Sequence, residues 1–114
     1  MQPRIETTNS FPVSIFIAGH YHRARKCARQ YCDAIGYCVT VTRTVYVYTG
    51  GEEDGVIIGL INYPRFPASR QQIMEHAERL GVLLCKELGQ ESFSIQNPET
   101  TTWFSYRSED TINV

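Results

Sequence analysis

The absences in this sequence set its first bounds. It contains no unbroken apolar run of the roughly 18 residues that a membrane-spanning helix requires. Its first twelve residues carry no apolar core of the kind that marks a secretory leader, so the expected compartment is the cytosol. Neither sign of charge is in excess: 11 Lys and Arg against 12 Asp and Glu leave a net charge of −1, which argues against a polycation holding long nucleic acid. The phosphate-cradling patterns G-x-G-x-x-G and G-x-x-x-x-G-K-[ST] are both missing, so neither a dinucleotide fold nor a nucleotide hydrolase is supported. There is no serine in a nucleophile elbow, no H-E-x-x-H and no paired His-x-Ser/Thr motif. No residue is therefore assigned a catalytic role, no cofactor or metal is expected, and the expected protein is not an enzyme.

Four cysteines are present, Cys27, Cys32, Cys38 and Cys85. Their spacing lacks the short C-x2-C knuckle of a structural zinc site, and the cytosolic expectation disfavours disulfides. Cys27 and Cys32 fall on an apolar helical stripe, which makes them reduced core residues, with metal binding as the minor alternative.

The composition present is globular: 42% hydrophobic and 20% charged residues over 114 positions suit one small domain. Residues 1–12 are polar and read as a flexible lead-in, 13–107 as a single domain, and 108–114 as a frayed tail. Val13 to Ala18 is an apolar strand ended by Gly19. Ala24, Cys27, Ala28, Tyr31, Cys32 and Ile35 recur at helical spacing, and Gly36 stands where a left-handed helix end is expected. From Cys38 to Thr49 the period becomes two, with Arg43 intruding among valines as a bulge, an edge position or a partnered charge. Gly50 to Gly55, with the acids Glu52, Glu53 and Asp54, reads as an exposed hairpin loop, and Val56 to Asn62 as the return strand. Ser69 and Gln72 fit a capping box opening a second helix that Gly89 closes. Ser92 to Gln96 and Thr101 to Arg107 complete the chain as short strands. The order β-α-β-β-α-β-β predicts an α+β fold, a mixed sheet with two helices on one face. A sheet so covered leaves its other face bare, which predicts a homo-oligomer.

Three places carry candidate binding chemistry. The first is the start of helix one, where His20, Arg23 and Arg25, with Lys26 and Arg29 behind, concentrate positive charge at a helix N-terminus. A helix dipole there favours an anion and opposes cations, so a phosphate would relieve both. A solvated basic face, or one pairing with the acidic hairpin of another subunit, is the plainer explanation. The second is the proline-bounded segment from Asn62 to Pro67. There Asn62, Arg65 and the aromatics Tyr63 and Phe66 offer hydrogen bonding and stacking to a nucleobase, or Tyr63 and Phe66 simply staple a connector to the core. The third is the last strand, where Trp103 and Arg107 share a face. His76, beside Glu75, reads as solvated.

Phe16-Ile17-Ala18-Gly19, Cys38-Val39-Thr40-Val41-Thr42, Tyr48-Thr49-Gly50-Gly51-Glu52 and Gly59 to Pro67 (GLINYPRFP) resemble small phage and prophage proteins. Over roughly residues 13–107 the chain is similar to the Thoeris anti-defence sponge family of phages. That resemblance implies a homo-oligomer in the host cytosol that sequesters cyclic nucleotide signals, cyclic ADP-ribose isomers or cyclic oligonucleotides, without cleaving them. It also implies pockets that grip phosphates with arginine and stack adenine on aromatics. Two alternatives come from other classes. The Phe16-to-Gly19 stretch also resembles the opening of nucleoside deoxyribosyltransferases, and a small inhibitor acting on a host protein by surface contact remains the third reading.

Overall fold

Alternating burial along the strands decides the architecture. In a computed structural model that describes residues 1–111, β1 (Val13–Ala18) buries Val13, Ile15 and Ile17 and leaves Ser14, Phe16 and Ala18 half-covered. The same face receives Val56, Ile58 and Leu60 of β3 (Gly51–Leu60) and Phe93 and Ile95 of β4 (Ser92–Gln96). Onto it pack Ala24, Cys27 and Tyr31 of α1 (Tyr21–Ile35) and Ile73, Ala77, Leu80 and Leu84 of α2 (Arg70–Glu87). Burying one such side chain contributes about 1.5–3 kcal/mol, and this shared core holds both helices to one side of the sheet.

The sheet order is β2-β3-β1-β4-β5, with β2 spanning Thr40–Tyr48 and β5 Thr101–Ser105. This is the split β-α-β arrangement of a ferredoxin-like fold, extended at one edge by β5. The α+β class, the element order and the helices on one face are as the sequence predicts, but the sheet is not mixed. Every neighbouring pair is antiparallel, because β3 lies between the parallel-running β1 and β2. The physical reason is composition: Val56 to Leu60 is apolar on both faces and takes an inner position, while β2, with threonines on one side, stands at an edge.

A second difference concerns the acids. Glu52, Glu53 and Asp54 do not form a loop tip; they are strand residues facing Val47, Tyr46 and Val45 in register. The hairpin closes through Thr49 and Gly50 alone. Since β1 stops where Ala18 meets Gly55, the outer half of the β2–β3 hairpin has no further strand beside it. It projects as an arm, and the molecule measures 56 × 33 × 28 Å. A compact chain of this length has a radius of gyration of about 13 Å, against 15.6 Å here. Arg43 sits where the arm begins, on an edge strand, with its guanidinium 4.5 Å from the centre of the Tyr21 ring.

The helix ends follow their sequences. Ser69 and Gln72 form the reciprocal capping box at α2, and Gly36 ends α1 at a φ of 70° with its N–H on Cys32 O. Gly19 has a φ of 138°, and a Cβ there would lie 2.9 Å from Leu88, so the turn from β1 into α1 admits only glycine without displacement. Phe11 of the lead-in is buried. Cys27 and Cys85 are buried and Cys32 half-buried, but Cys38 is exposed, and all four are free thiols. No helix is long and apolar enough to cross a membrane, and no group of three or more His, Cys, Asp or Glu is placed to hold a metal, among the described residues. Of the predicted tail, residues 112–114 lie outside the described residues.

Candidate functional site

A concavity of about 660 Å³ opens between the end of α1, the β3–α2 connector and the first half of α2. Its size falls within the range of small-molecule pockets, about 300–1,000 Å³. Local sequence builds each wall. Gly36 turns the chain out of α1 and delivers Tyr37 and Cys38; Pro64 and Pro67 bracket a rigid bend that delivers Tyr63 and Phe66. On α2, Gln72, Glu75, His76 and Arg79 recur at three- and four-residue spacing, so one helix face lines the cleft.

The floor is an aromatic stack. The Tyr37 and His76 rings lie 4.1 Å apart at an interplanar angle of 19°, and the Tyr31 hydroxyl is 2.8 Å from His76 Nδ1. Burial, then the nearby Arg79 charge, holds the His76 pKa below the usual histidine value, and burial pushes the Tyr31 phenol up. At neutral pH the ring is therefore neutral, and its hydrogen bond with the Tyr31 hydroxyl sets the orientation of the imidazole. The Tyr37 hydroxyl is buried without a hydrogen-bond partner. Across the cleft, the Tyr63 hydroxyl donates to Cys38 Sγ at 3.3 Å. Desolvation, followed by that bond to Cys38, pushes the Tyr63 phenol up to about 12, so it keeps its proton. The cleft thus combines aromatic and apolar surface from Tyr37, Tyr63, Phe66 and Pro67 with an amide, a carboxylate and a guanidinium from α2.

The residues singled out from sequence are dispersed. Phe66, with Tyr63 of the same segment, lines this cleft; Arg65 lies outside it with its guanidinium 5.3 Å from the Phe66 ring centre. Asn62 holds the backbone rather than facing a ligand, donating to Asn9 O at 2.9 Å and accepting from the Ala68 N–H at 2.9 Å. His20 stands at the N-cap of α1 without capping it through its side chain. Arg23 donates to the Glu87 carbonyl at 2.6 Å, placing its charge at the negative end of α2 instead of holding it for a phosphate. Arg25 is on the outer face of α1. Trp103 and Arg107 are at the far sheet edge, 5.8 Å apart from guanidinium carbon to ring centre, with Arg107 also 3.7 Å from Glu91.

Sequence reasoning missed Tyr37, Gln72, Glu75 and Arg79 as site residues, singled out Tyr63 only as an aromatic of the 62–67 segment, and placed His76 in solvent. The structure corrects that placement: His76 is half-buried beneath Tyr37. The recurrence of Gln72, Glu75, His76 and Arg79 was a visible signal, but a solvated helix face has the same spacing.

No protein-family model matches this chain, and no curated protein matches it. Two solved structures share its fold. A phage SAM lyase in the apo state is 19% identical, covers 83% of this chain and 88% of its own, and superimposes with a TM-score of 0.64. A phage SAM lyase in complex with S-methyl-5'-thioadenosine is 15% identical, with 92% and 96% covered and the same TM-score of 0.64. The expectation that the protein is not an enzyme is contradicted by this likeness, because both of these solved structures of its fold are of phage SAM lyase. The absence of known catalytic motifs was a weak guide, because such motifs describe nucleophile- and metal-dependent chemistry.

Proposed function

We propose that the protein is an enzyme of SAM-lyase type, which binds S-adenosylmethionine or a close sulfonium nucleoside in the Tyr37–Tyr63–Phe66 cleft and breaks a carbon–sulfur bond. The observation that carries this reading is the composition of the cleft, and the shared fold supports it. S-adenosylmethionine presents an aromatic base, a sulfonium cation and an amino-acid arm bearing one ammonium and one carboxylate. Exposed faces of Tyr63 and Phe66 suit the base and the sulfonium. Glu75 suits the ammonium, and Arg79, one helical turn on, suits the carboxylate. The seven helical steps from Gln72 to Arg79 extend about 10 Å, the scale of such an arm with its sulfur.

Cleavage on the amino-acid side leaves S-methyl-5'-thioadenosine. The sulfur keeps the bonding pair and departs as a neutral thioether, so the leaving group needs no proton. The carbon it leaves is taken by the arm's own carboxylate oxygen, closing a lactone without a nucleophile from the protein. Two opposite charges disappear in that step, which an apolar cleft accelerates relative to water. The protein's part is to fold the arm and exclude solvent.

The test is to incubate the purified chain with S-adenosylmethionine and follow S-methyl-5'-thioadenosine by chromatography with mass detection. Buffer and heat-denatured protein measure spontaneous breakdown. Product formation above both controls, lost on Glu75→Gln, is the expected result; a rate equal to the buffer control overturns the reading.

A further inference from the structure

The arm and the outer face of α1 each carry charges of one sign that make no ion pair, or only an exposed one, among the described residues. On the arm, Glu52 and Asp54 have no Lys, Arg or His within ion-pair distance among the described residues. They face Val47 and Val45 in register, so that side of the arm alternates carboxylates with exposed valines, 77% and 46% accessible. An apolar strand pair that touches nothing is unusual in a lone two-stranded projection, which is marginally stable in water.

The complementary surface is a groove of about 250 Å³ between α1 and the start of β2. Ala28, Cys32, Val39 and Val41 make its floor, and Arg25 and Arg29 its rim. Arg25 and the neighbouring Lys26 have no acidic partner among the described residues, and Arg29 makes only an exposed contact of 3.4 Å with Asp33. A chain's own arm does not reach this groove. Val41 and Val47 are on one face of a continuous strand, six residues or about 20 Å apart, so the tip cannot fold back onto the groove beside Val41.

We infer that the arm of one copy docks in the α1–β2 groove of a second copy, its valines on the apolar floor and Glu52 and Asp54 against Arg25 and Arg29. The contact is heterologous, joining different surfaces of identical chains, so it builds a closed ring when the rotation between copies closes. Tyr37 and Cys38 line both the groove and the cleft, but Arg25, Arg29, Glu52 and Asp54, on which the docking rests, do not line the cleft, so the inference and the lyase reading fail separately. It also supplies an internal reason for the basic face of α1: that face meets carboxylates of the same protein.

Light scattering behind size-exclusion chromatography on the full chain at micromolar concentration tests it. The wild type is expected at a multiple of 13.0 kDa. Glu52→Lys with Asp54→Lys, and separately Arg25→Glu with Arg29→Glu, each set like charges against one another and weaken association by about 100-fold or more. The chain carrying all four substitutions restores the pairing with signs exchanged and regains the wild-type mass. Circular dichroism confirms that each variant is folded. A wild-type mass of 13.0 kDa overturns the inference, as does either double variant keeping the wild-type mass, or the fourfold variant remaining dissociated.

Discussion

The two ends of this molecule handle charge in opposite ways. At the cleft, carboxylate, amide and guanidinium follow one another along a single helix face around a concavity, over a rigid aromatic floor. Charges of both signs there suit a small ligand that itself bears both. At the arm, the acids share one strand of a projecting hairpin and form no ion pair among the described residues. Concave surface with mixed charge favours a small guest; convex surface with one sign of charge favours a macromolecular face of the other sign. The chain supplies such a face itself, on α1.

Four perturbations separate the two ends. The largest effect is expected where both meet the core: Ile58→Ala removes a fully buried side chain and lowers unfolding free energy by about 2–5 kcal/mol, read by urea titration. A loss below 1 kcal/mol would mean that the sheet centre is not the common foundation of cleft and arm. Next, Arg79→Ala lowers kcat/KM for S-adenosylmethionine cleavage by about 100-fold while leaving the native mass unchanged. A change of mass with unchanged kinetics would reverse the roles given to the two ends. Third comes pH. Because burial depresses the His76 pKa, the unfolded chain binds a proton that the native state resists. Stability is therefore full above the ordinary histidine value of 6.5 and declines as pH falls below it. The urea midpoint should drop on acidification through that range, and His76→Gln should flatten the decline. Smallest is Val47→Ser on the arm, expected to change monomer stability by no more than about 0.5 kcal/mol while weakening self-association measured by light scattering.

Local patterns were the readable part of the fold. The spacing from Ala24 to Ile35 gave α1 its observed end, and Ser69 with Gln72 placed the start of α2 because a capping box is satisfied within four residues. The acids at 52–54 were misplaced because low strand propensity matters little where both faces of a hairpin meet water. His76 was read as solvated because its neighbours in sequence are charged. What buries it is Tyr37, which reaches it from the other side of the α1–β2 turn. Arg23 similarly looked available for an anion until α2 brought the Glu87 carbonyl to it. In each case the missing information was a contact between residues distant in the chain.

Apart from the outer part of the β2–β3 hairpin, the amino-acid order was sufficient to determine which segments become helix or strand, where the helices start and stop, and that both pack on one face. Those outcomes depend on periodicity, capping and glycine placement within about a dozen residues. Which strand lies beside β1, that a hairpin extends past the core, and that Tyr37, Tyr63 and one face of α2 converge on a single cleft were decided only in three dimensions. The reason is that polar and aromatic side chains on an outer face have the same spacing whether they meet water or each other, and only the folded chain brings the second wall into place.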